Sequence, residues 1–259
     1  RTIGWSMVGL AIFFLIYAFY GRYFPGLLAH RGYDMVRILE QVYLGADGIY
    51  GTPLGVSATF VIIIVVLGAL LEKTGASGVL MDIAVSMTRN SRGGPAKAAV
   101  VGSSLMGMIS GTAVANVLTT GTISIPLMRR GGYRPAVAGA VEAVASTGGQ
   151  LMPPIMGAAA FLMADIMEVP YLDITKAALL PALLFYIAVF ASVHLEAVKT
   201  GLKPLESIDI PDVKQSLRNS GHVLLSIPVF IGTLISGYSV MYSSLAGIVC
   251  LLALSLLRY

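Results

Sequence analysis

The amino-acid sequence predicts an all-α, polytopic membrane protein, and its composition and the distribution of its charges are the evidence. Of its 259 residues, 56% are hydrophobic and only 12% are charged, whereas a soluble domain has roughly 45–50% apolar and about 25% charged residues. The mean hydropathy is +0.84. The net charge is +4, but the basic residues lie mainly in short loops between apolar segments, where they indicate topology. The lipid bilayer is therefore the expected environment, and nucleic acid is not an expected partner.

Apolar segments near the length of about 20 residues that a membrane-spanning helix needs predict the helices. The predicted spans are residues 3–20, 53–71, 177–195 with Pro181 in the first turns, and two within 222–257 separated at the sequence SGYS. Residues 21–50 are mixed in character, and we expect a connector there with an amphipathic helix over 33–44. Residues 75–87 form a short apolar segment with Asp82 on one side, which favours a helix along the membrane interface. Because the sequence begins with Arg1 and ends as an apolar segment ends, we expect a fragment of a longer polypeptide.

Clusters of basic residues flank the apolar stretch 98–128 on both sides. They are Lys73, Arg89, Arg92 and Lys97 before it, and Arg129, Arg130 and Arg134 after it. By the positive-inside rule, both ends of the stretch then face the cytoplasm. Each limb, divided at the SGT sequence of residues 110–112, has about 12 to 16 residues, or roughly 18 to 24 Å of helix against a hydrocarbon core of about 30 Å. We therefore expect a re-entrant helical hairpin whose tip lies near the bilayer midplane.

The predicted hairpin tip is polar, and a polar tip at that depth indicates a binding site. Non-helical backbone inside a membrane occurs only where protein or a water-filled cavity surrounds it. The carbonyl end of one limb would lie beside the amide end of the next, which begins at Ala113, so a cation can use the first and a carboxylate the second. Ser110, Thr112 and Asn116 add oxygen ligands or donors, and Gly111 permits the sharp turn. The tip therefore suits a small cation beside a carboxylate.

A second interrupted segment, residues 135–164, repeats this device. The helix is expected to break at residues 146–150 and to restart after Pro153-Pro154, where proline suits a first helical turn. Two interrupted helices in one domain indicate the binding site of a transporter. The candidate substrate ligands from the two breaks are Thr112, Ala113, Asn116, Gly149, Gln150 and Pro153.

Other residues inside these apolar stretches leave alternatives open. Glu142 is an intramembrane carboxylate, which is either a proton carrier or the partner of a neighbour outside this sequence. Runs of small residues, including Ser103, are more typical of helix-packing surfaces than of ligand sites. Hydroxyls such as those of Thr119, Thr120 and Thr122 either bind a ligand or donate to a backbone carbonyl of their own helix.

The run SGTAVANVLTTGTISIPLMRRGGYRPAVAGAVEAVASTGGQLMPPIMGAAAFLMAD, residues 110–165, resembles the large membrane subunit, or M domain, of tripartite ATP-independent periplasmic (TRAP) transporters in the ion transporter superfamily. The STGGQLMPP form and the preceding membrane helix resemble the fused permeases that are often paired with a TAXI-type binding protein. The resemblance covers about residues 50–259, and it implies the superfamily's fold, with two inverted repeats of which this is the first. It divides the chain into residues 1–50, the last helix of a small-subunit part plus a connector; residues 51–220, with hairpin 98–128 and broken helix 135–164; and residues 221–259, the start of the second repeat.

The resemblance also implies a function. A secondary active transporter of this kind imports a small organic acid across the bacterial or archaeal cytoplasmic (inner) membrane by an elevator movement, coupled to Na⁺ or H⁺ and with no other cofactor. Its partners would be a periplasmic binding protein and the small-subunit membrane domain, fused upstream. Carried over by position, the cation ligands would be Ser110, Gly111, Thr112, Asn116, Ser146, Thr147 and Gly148. The hypothesis that the resemblance implies is a Na⁺ ion at the hairpin tip, next to the substrate.

Two alternatives compete with this function. The first is a carrier of the same superfamily that works without a binding protein. The second is an intramembrane enzyme, but no base reaches the midplane because His30, His194 and His222 fall at interfaces or in loops. We therefore expect no enzymatic activity.

Overall fold

The computed structural model describes residues 4–45, 48–202, 204 and 212–257. Across these ranges the secondary structure consists of helices and turns without a β-strand, which confirms the predicted all-α fold class. The helices are α1 (Trp5–Tyr20), α2 (Met35–Leu39), α3 (Thr52–Val56), α4 (Ile62–Lys73), α5 (Ala76–Thr88), α6 (Gly94–Ser110), α7 (Ala113–Arg130), α8 (Pro135–Gly148), α9 (Ala158–Ile166), α10 (Tyr171–Lys199), α11 (Val213–Ser220), α12 (Ser226–Ile235) and α13 (Val240–Leu256).

Three helical stretches are long and apolar enough to cross a membrane, namely Trp5–Tyr23, Thr52–Lys73 and Tyr171–Lys199. The second joins α3 and α4 through a π-helical turn at Ser57–Val61. These stretches are helical where three of the spans were predicted, and their length and composition suit a membrane crossing. The turn predicted at SGYS separates α12 from α13, but these helices have 10 and 17 residues and are shorter than the two spans expected there.

The predicted start of α10 was wrong, because the helix begins at Tyr171 and Pro181 lies in its interior. The polar first turns misled the prediction, which relied on apolar content. Their helical conformation is supported by Asp173 in the first turn, near the positive end of the helix dipole. Asp173 also forms an ion pair with Lys176, whose amine lies 3.1 Å from its Oδ1 atom.

The chain divides into two compact units, Arg1–Gly55 and Val56–Tyr259. In the first unit, Asp34 caps α2, and a π-helical turn at Glu40–Leu44 extends it, which agrees with the amphipathic helix expected over 33–44. The proposed division at residues 50 and 220 stays a prediction.

In the second unit, α6 and α7 form the predicted helical hairpin. The side chain of Asn116 reaches the backbone of Ser103, and the hydroxyls of Ser103 and Thr120 lie 3.3 Å apart, so the limbs run antiparallel from a tip at Gly111. The limbs have 17 and 18 residues, somewhat more than expected. At about 1.5 Å per residue each remains shorter than a hydrocarbon core of about 30 Å. The depth of the tip in a bilayer stays a prediction.

Neighbouring helices pack around this hairpin. Helix α8 lies against both limbs, α10 contacts α6, α8 and α9, and α13 packs on α4. Helix α5 packs along α6, where a Cβ on Gly102 would overlap the sulfur of Met81, so this small residue serves packing as expected. In the loop between α7 and α8, Tyr133 donates to the carbonyl of Gly93. Burial, and then the charge of Glu196, raise the pKa of Tyr133 to about 12, which keeps its hydroxyl protonated at neutral pH.

The second segment is interrupted as predicted, since α8 ends within residues 146–150 and α9 begins after the two prolines, but the prolines do not lie in the first turn of α9. Helix α8 continues to Gly148, a 3-10 turn covers Gly149–Leu151, and α9 begins at Ala158. Pro153 and Pro154 therefore lie in the non-helical segment 152–157 instead of starting a helix. Met152 has an extended conformation with φ −81° and ψ 117°, which is the conformation that a following proline favours. The prolines thus end the first helix and do not begin the second.

Candidate functional site

The tip of the hairpin is built by a left-handed glycine followed by a capping threonine. Gly111 has φ +62°, a conformation that side chains with a Cβ rarely adopt. Thr112 is extended, and its hydroxyl accepts from the backbone N–H of Ala115 at 3.3 Å, which caps the start of α7. Helix α6 therefore ends, and α7 begins, within two residues.

Four helix ends meet where this tip contacts the second break. A Cβ on Gly107 would overlap the Cα of Gly149, so the end of α6 touches the end of α8 through backbone atoms alone. A Cβ on Gly111 would overlap the carbonyl oxygen of Met156, and one on Gly157 would lie 3.5 Å from the oxygen of Gly111. The C-terminal ends of α6 and α8 and the N-terminal ends of α7 and α9 thus lie together. Partial negative charge from the first pair and partial positive charge from the second are concentrated at this junction.

The break itself is held by hydrogen bonds to its backbone carbonyls. The N–H of Gly157 donates to the carbonyl of Gln150 at 2.8 Å, which closes the loop between α8 and α9. The hydroxyl of Tyr171 donates to the carbonyl of Pro154 at 2.9 Å. Met156 has φ +57°, an uncommon value for a residue other than glycine. Met156, with this left-handed backbone conformation, therefore lies where the hairpin tip at Gly111 contacts the loop between α8 and α9.

Asn116 is the predicted site residue that lies deepest in this junction. Its side chain is fully buried, and its amide nitrogen donates to the carbonyl of Ser103 at 2.9 Å and faces that of Ser146 at 3.5 Å. A Cβ on Gly149 would lie 2.8 Å from the same nitrogen. These two carbonyl partners fix the orientation of the amide, so its Oδ1 atom points away from them. That oxygen is buried and accepts no hydrogen bond in the described part of the chain, which suits a ligand for a hard cation.

Ser110 carries a second buried oxygen without a hydrogen-bond partner among the described residues. A Cβ on Gly68 of α4 would lie 2.9 Å from the oxygen of Ile109 and 3.6 Å from the Cα of Ser110. Ser110 thus lies beside α4, whereas Asn116 lies against α8. Both oxygens lack a hydrogen-bond partner among the described residues, so both could serve as ligands.

The remaining predicted ligands differ in their exposure and in the partners of their side chains. Thr112 and Gln150 are exposed, Ala113 is half-buried, and Gly149 and Pro153 are buried. The Ser146 hydroxyl donates to Glu142 at 2.9 Å, and the Thr147 hydroxyl donates to the carbonyl of Ala143 at 2.7 Å. A Cβ on Gly148 would overlap the ring of Phe185. Because α8 stays helical through these three residues, the side chains of Ser146 and Thr147 do not point at Asn116; the Ser146 carbonyl does face it.

Glu142 is fully buried, and four hydroxyl groups from three helices surround its carboxylate. Ser103 of α6 donates to Oε1 at 3.2 Å and Ser146 of α8 at 2.9 Å. Thr120 of α7 donates to the same oxygen, and Ser124 of α7 donates to Oε2. The carboxylate therefore finds its partners within this chain and needs no neighbour from outside it. We call this group of five side chains the hydroxyl cage.

Sequence reasoning missed four features of the site or left them undecided. Ser103 was interpreted as a packing residue, and Ser124 was not considered. Thr120 belongs to the cage, whereas Thr122 donates to the carbonyl of Thr119 within its own helix at 2.9 Å. Glu72 of α4, which was not considered either, accepts a 2.6 Å hydrogen bond from Thr119. A spacing signal was available, because residues 116, 120 and 124 share one helical face at intervals of four.

The whole chain matches the sequence model of one family of membrane transporter components. The sequence model of the family described as "Tripartite ATP-independent periplasmic transporter, DctM component" matches residues 1–259. The chain is 29% identical over 170 residues to the "C4-dicarboxylate TRAP transporter large permease protein DctM" of Pseudomonas aeruginosa, covering 66% of this chain and 39% of that protein.

Two further relatives carry no functional name. The chain is 27% identical over 173 residues to "Uncharacterized protein YgiK" of Salmonella typhimurium, covering 67% of this chain and 40% of that protein. It is 32% identical over 105 residues to "Uncharacterized protein y4mL" of Sinorhizobium fredii, covering 40% of this chain and 25% of that protein. The matches therefore span at most about two fifths of the length of these curated relatives.

Proposed function

Because the chain belongs to the DctM family of tripartite ATP-independent periplasmic transporters, we propose that it forms part of a permease that imports an organic acid together with a coupling ion. The family is a membrane transporter component and not an enzyme, which confirms the expectation that the chain has no enzymatic activity. The junction of four helix ends is the observation that carries the proposal. Interrupted helices that meet at a point are the arrangement by which secondary transporters bind ions and anionic substrates inside a membrane.

The substrate carboxylate would bind at the paired N-terminal ends of α7 and α9. These ends start at Ala113 and Ala158 and are joined by the contact of Gly111 with Met156 and Gly157. Unpaired N–H groups and the positive end of the helix dipole both favour a carboxylate there. The Pseudomonas aeruginosa relative is named for C4-dicarboxylates, so a four-carbon dicarboxylate is the first acid to test.

The coupling cation would bind near the C-terminal ends of α6 and α8, where the helix carbonyls supply partial negative charge. Na⁺ prefers oxygen ligands, and the buried Oδ1 atom of Asn116 is directed away from its amide partners. Ser110 would supply a hydroxyl from the end of α6. Glu142 is the candidate carrier if the coupling ion is H⁺.

The partners and the movement are further parts of the proposal. A periplasmic binding protein would deliver the acid, and a small membrane subunit, fused upstream as the sequence resemblance implies, would complete the permease in the cytoplasmic membrane. We propose an elevator movement of the hairpin and of the helices packed on it. A carrier that works without a binding protein remains the alternative, and uptake without added binding protein would favour it.

Uptake by the full-length protein in liposomes tests the proposal. With its binding protein present, labelled dicarboxylate should accumulate when a Na⁺ or a pH gradient is imposed, and each gradient is applied alone. If neither gradient drives uptake of any carboxylate, the proposed function is wrong.

The cation site has its own test. In Asn116→Ala and in Ser110→Ala, the Na⁺ concentration for half-maximal uptake should rise about tenfold or more, which corresponds to about 1.4 kcal/mol of lost binding. Ser243→Ala is the matched control, because Ser243 on α13 has a buried hydroxyl that is also unpartnered in the described chain. Unchanged Na⁺ dependence in both site variants would contradict the assignment.

A further inference from the structure

A groove of about 510 Å³ runs between α6 and α10, away from the helix-end junction. Its walls are apolar and include Val101, Leu183 and Ile187, and one of its ends is basic, with Lys97 and His194. The hydroxyl of Ser104, which also lines the groove, donates to the carbonyl of Val101 at 2.7 Å. The groove therefore offers an apolar surface along its walls and positive charge at one end.

The two helices run antiparallel along this groove, which fixes its direction. A Cβ on Gly93 at the start of α6 would overlap the Cβ of Ala197 near the end of α10, and Lys97 lies against Phe190. The basic end is thus the end at which α6 begins and α10 finishes. By the positive-inside rule this is the cytoplasmic end, so Lys97 lies toward the lipid headgroups while Leu183 lies toward the hydrocarbon.

Lys97 is a buried cation without an anionic partner in the described chain. Only 4% of its surface is exposed, and its amine lies 5.1 Å from the centre of the Phe190 ring. The ion pairs formed between described residues join Arg134 with Glu196 and Lys176 with Asp173, and neither includes Lys97. A buried ammonium without a counter-ion is unfavourable, so an anion at this end of the groove would stabilise it.

We propose that this groove binds an anionic phospholipid. The phosphate would lie between Lys97 and His194, and one acyl chain would follow Val101, Leu183 and Ile187 toward the hydrocarbon. Basic pockets between membrane helices on the cytoplasmic side are a known form of lipid recognition. A free phosphate would use the basic end but would leave the apolar walls exposed, and therefore a lipid fits both parts of the groove. The site lies between the hairpin and α10, so a bound lipid would affect the hairpin without contacting the transported acid.

Lipid binding to the purified full-length protein tests this proposal. After delipidation the protein is titrated with phosphatidylglycerol or phosphatidylcholine, and bound lipid is counted by native mass spectrometry. The wild type should bind phosphatidylglycerol at least tenfold more tightly. Lys97→Met should remove that preference, and Lys97→Arg should retain it. Lys176→Met is the matched control, because it removes the same charge from an exposed residue on α10.

Two further measurements separate the lipid from other occupants. Val101→Trp fills the groove but keeps its charge, and it should abolish the preferential binding. Inorganic phosphate at millimolar concentration should not displace phosphatidylglycerol. Equal binding of both lipids by the wild type, displacement by phosphate, or unchanged binding in Val101→Trp would overturn the proposal. Such results would mean that another protein segment covers the groove or that it binds a free anion. None of these measurements depends on transport, so the proposal can fail while the proposed function stands.

Discussion

Replacing Thr120 with valine is expected to destabilise the protein through the hydroxyl cage. Thr120 is 1% exposed, and its hydroxyl contacts Oε1 of Glu142 and lies 2.7 Å from the carbonyl oxygen of Asn116. Valine has nearly the same shape but no hydroxyl, so the packing volume is kept and one donor to a buried carboxylate is lost. A hydrogen bond to a charged group contributes about 1.5–3 kcal/mol.

That free energy gives a measurable shift in melting temperature. A loss of 1 kcal/mol lowers the melting temperature by about 2–4 °C for a domain of roughly 150–250 residues. Thr120→Val should therefore melt roughly 3–12 °C below the wild type when the full-length protein is heated in detergent and followed by size-exclusion chromatography. Thr122→Val is the control on the same helix, because Thr122 is exposed and donates only within its own helix. A surface change of this kind should alter stability by less than about 0.5 kcal/mol.

A double-mutant cycle identifies the carboxylate as the cause. In a Glu142→Leu background the Thr120 hydroxyl no longer has a charged partner, so Thr120→Val should cost about as little as Thr122→Val. Coupling energies between residues in one hydrogen-bond network are about 0.5–3 kcal/mol. If Thr120→Val and Thr122→Val melt together in the wild-type background, the reasoning from the cage is refuted. An equal penalty with and without Glu142 would assign the effect to the Asn116 carbonyl instead.

Two other changes probe the same helices. Gly107→Ala places a methyl group 2.2 Å from the Cα of Gly149, so α8 must move. We expect a loss of about 1–3 kcal/mol of stability and a loss of uptake, measured by melting and by transport in liposomes. Glu142→Gln should remove uptake driven by a pH gradient while uptake driven by Na⁺ persists. Transport that still follows the pH gradient in this variant would make Glu142 a structural residue.

The hairpin was predictable from the sequence because its signals coincide. The basic clusters place both ends of the hairpin on one side, and the polar residues and the glycine between them indicate the turn. The structure has the turn at Gly111 and Thr112. The second break carries competing signals, since Gly148 and Gly149 precede the two prolines by a few residues. The glycines serve close packing on Phe185 and Gly107. The non-helical segment lies at and after the prolines, and only the tertiary contacts distinguish these two uses of small and rigid residues.

The hydroxyl cage could be predicted only in part. An intramembrane glutamate and a row of hydroxyls are visible in the sequence, but Ser103 lies 39 residues from Glu142 along the chain. Which face of α6 meets α8 depends on the contact of Gly107 with Gly149, and the sequence does not specify that contact. Small serines at a helix–helix interface therefore resemble packing residues until the partner helix is known.

Two residues of the hydroxyl cage also contact Asn116, the candidate cation ligand. Ser103 and Ser146 each direct a hydroxyl to Glu142 and a backbone carbonyl to the amide of Asn116. The carbonyls are fixed by the helices, whereas the hydroxyls can rotate. Loss of a cage hydroxyl therefore leaves the amide partners of Asn116 in place, while a shift of α6 against α8 changes both groups at once. A Na⁺ affinity that changes in Gly107→Ala but not in Thr120→Val follows from this geometry, because only the first variant moves the backbone that orients Asn116.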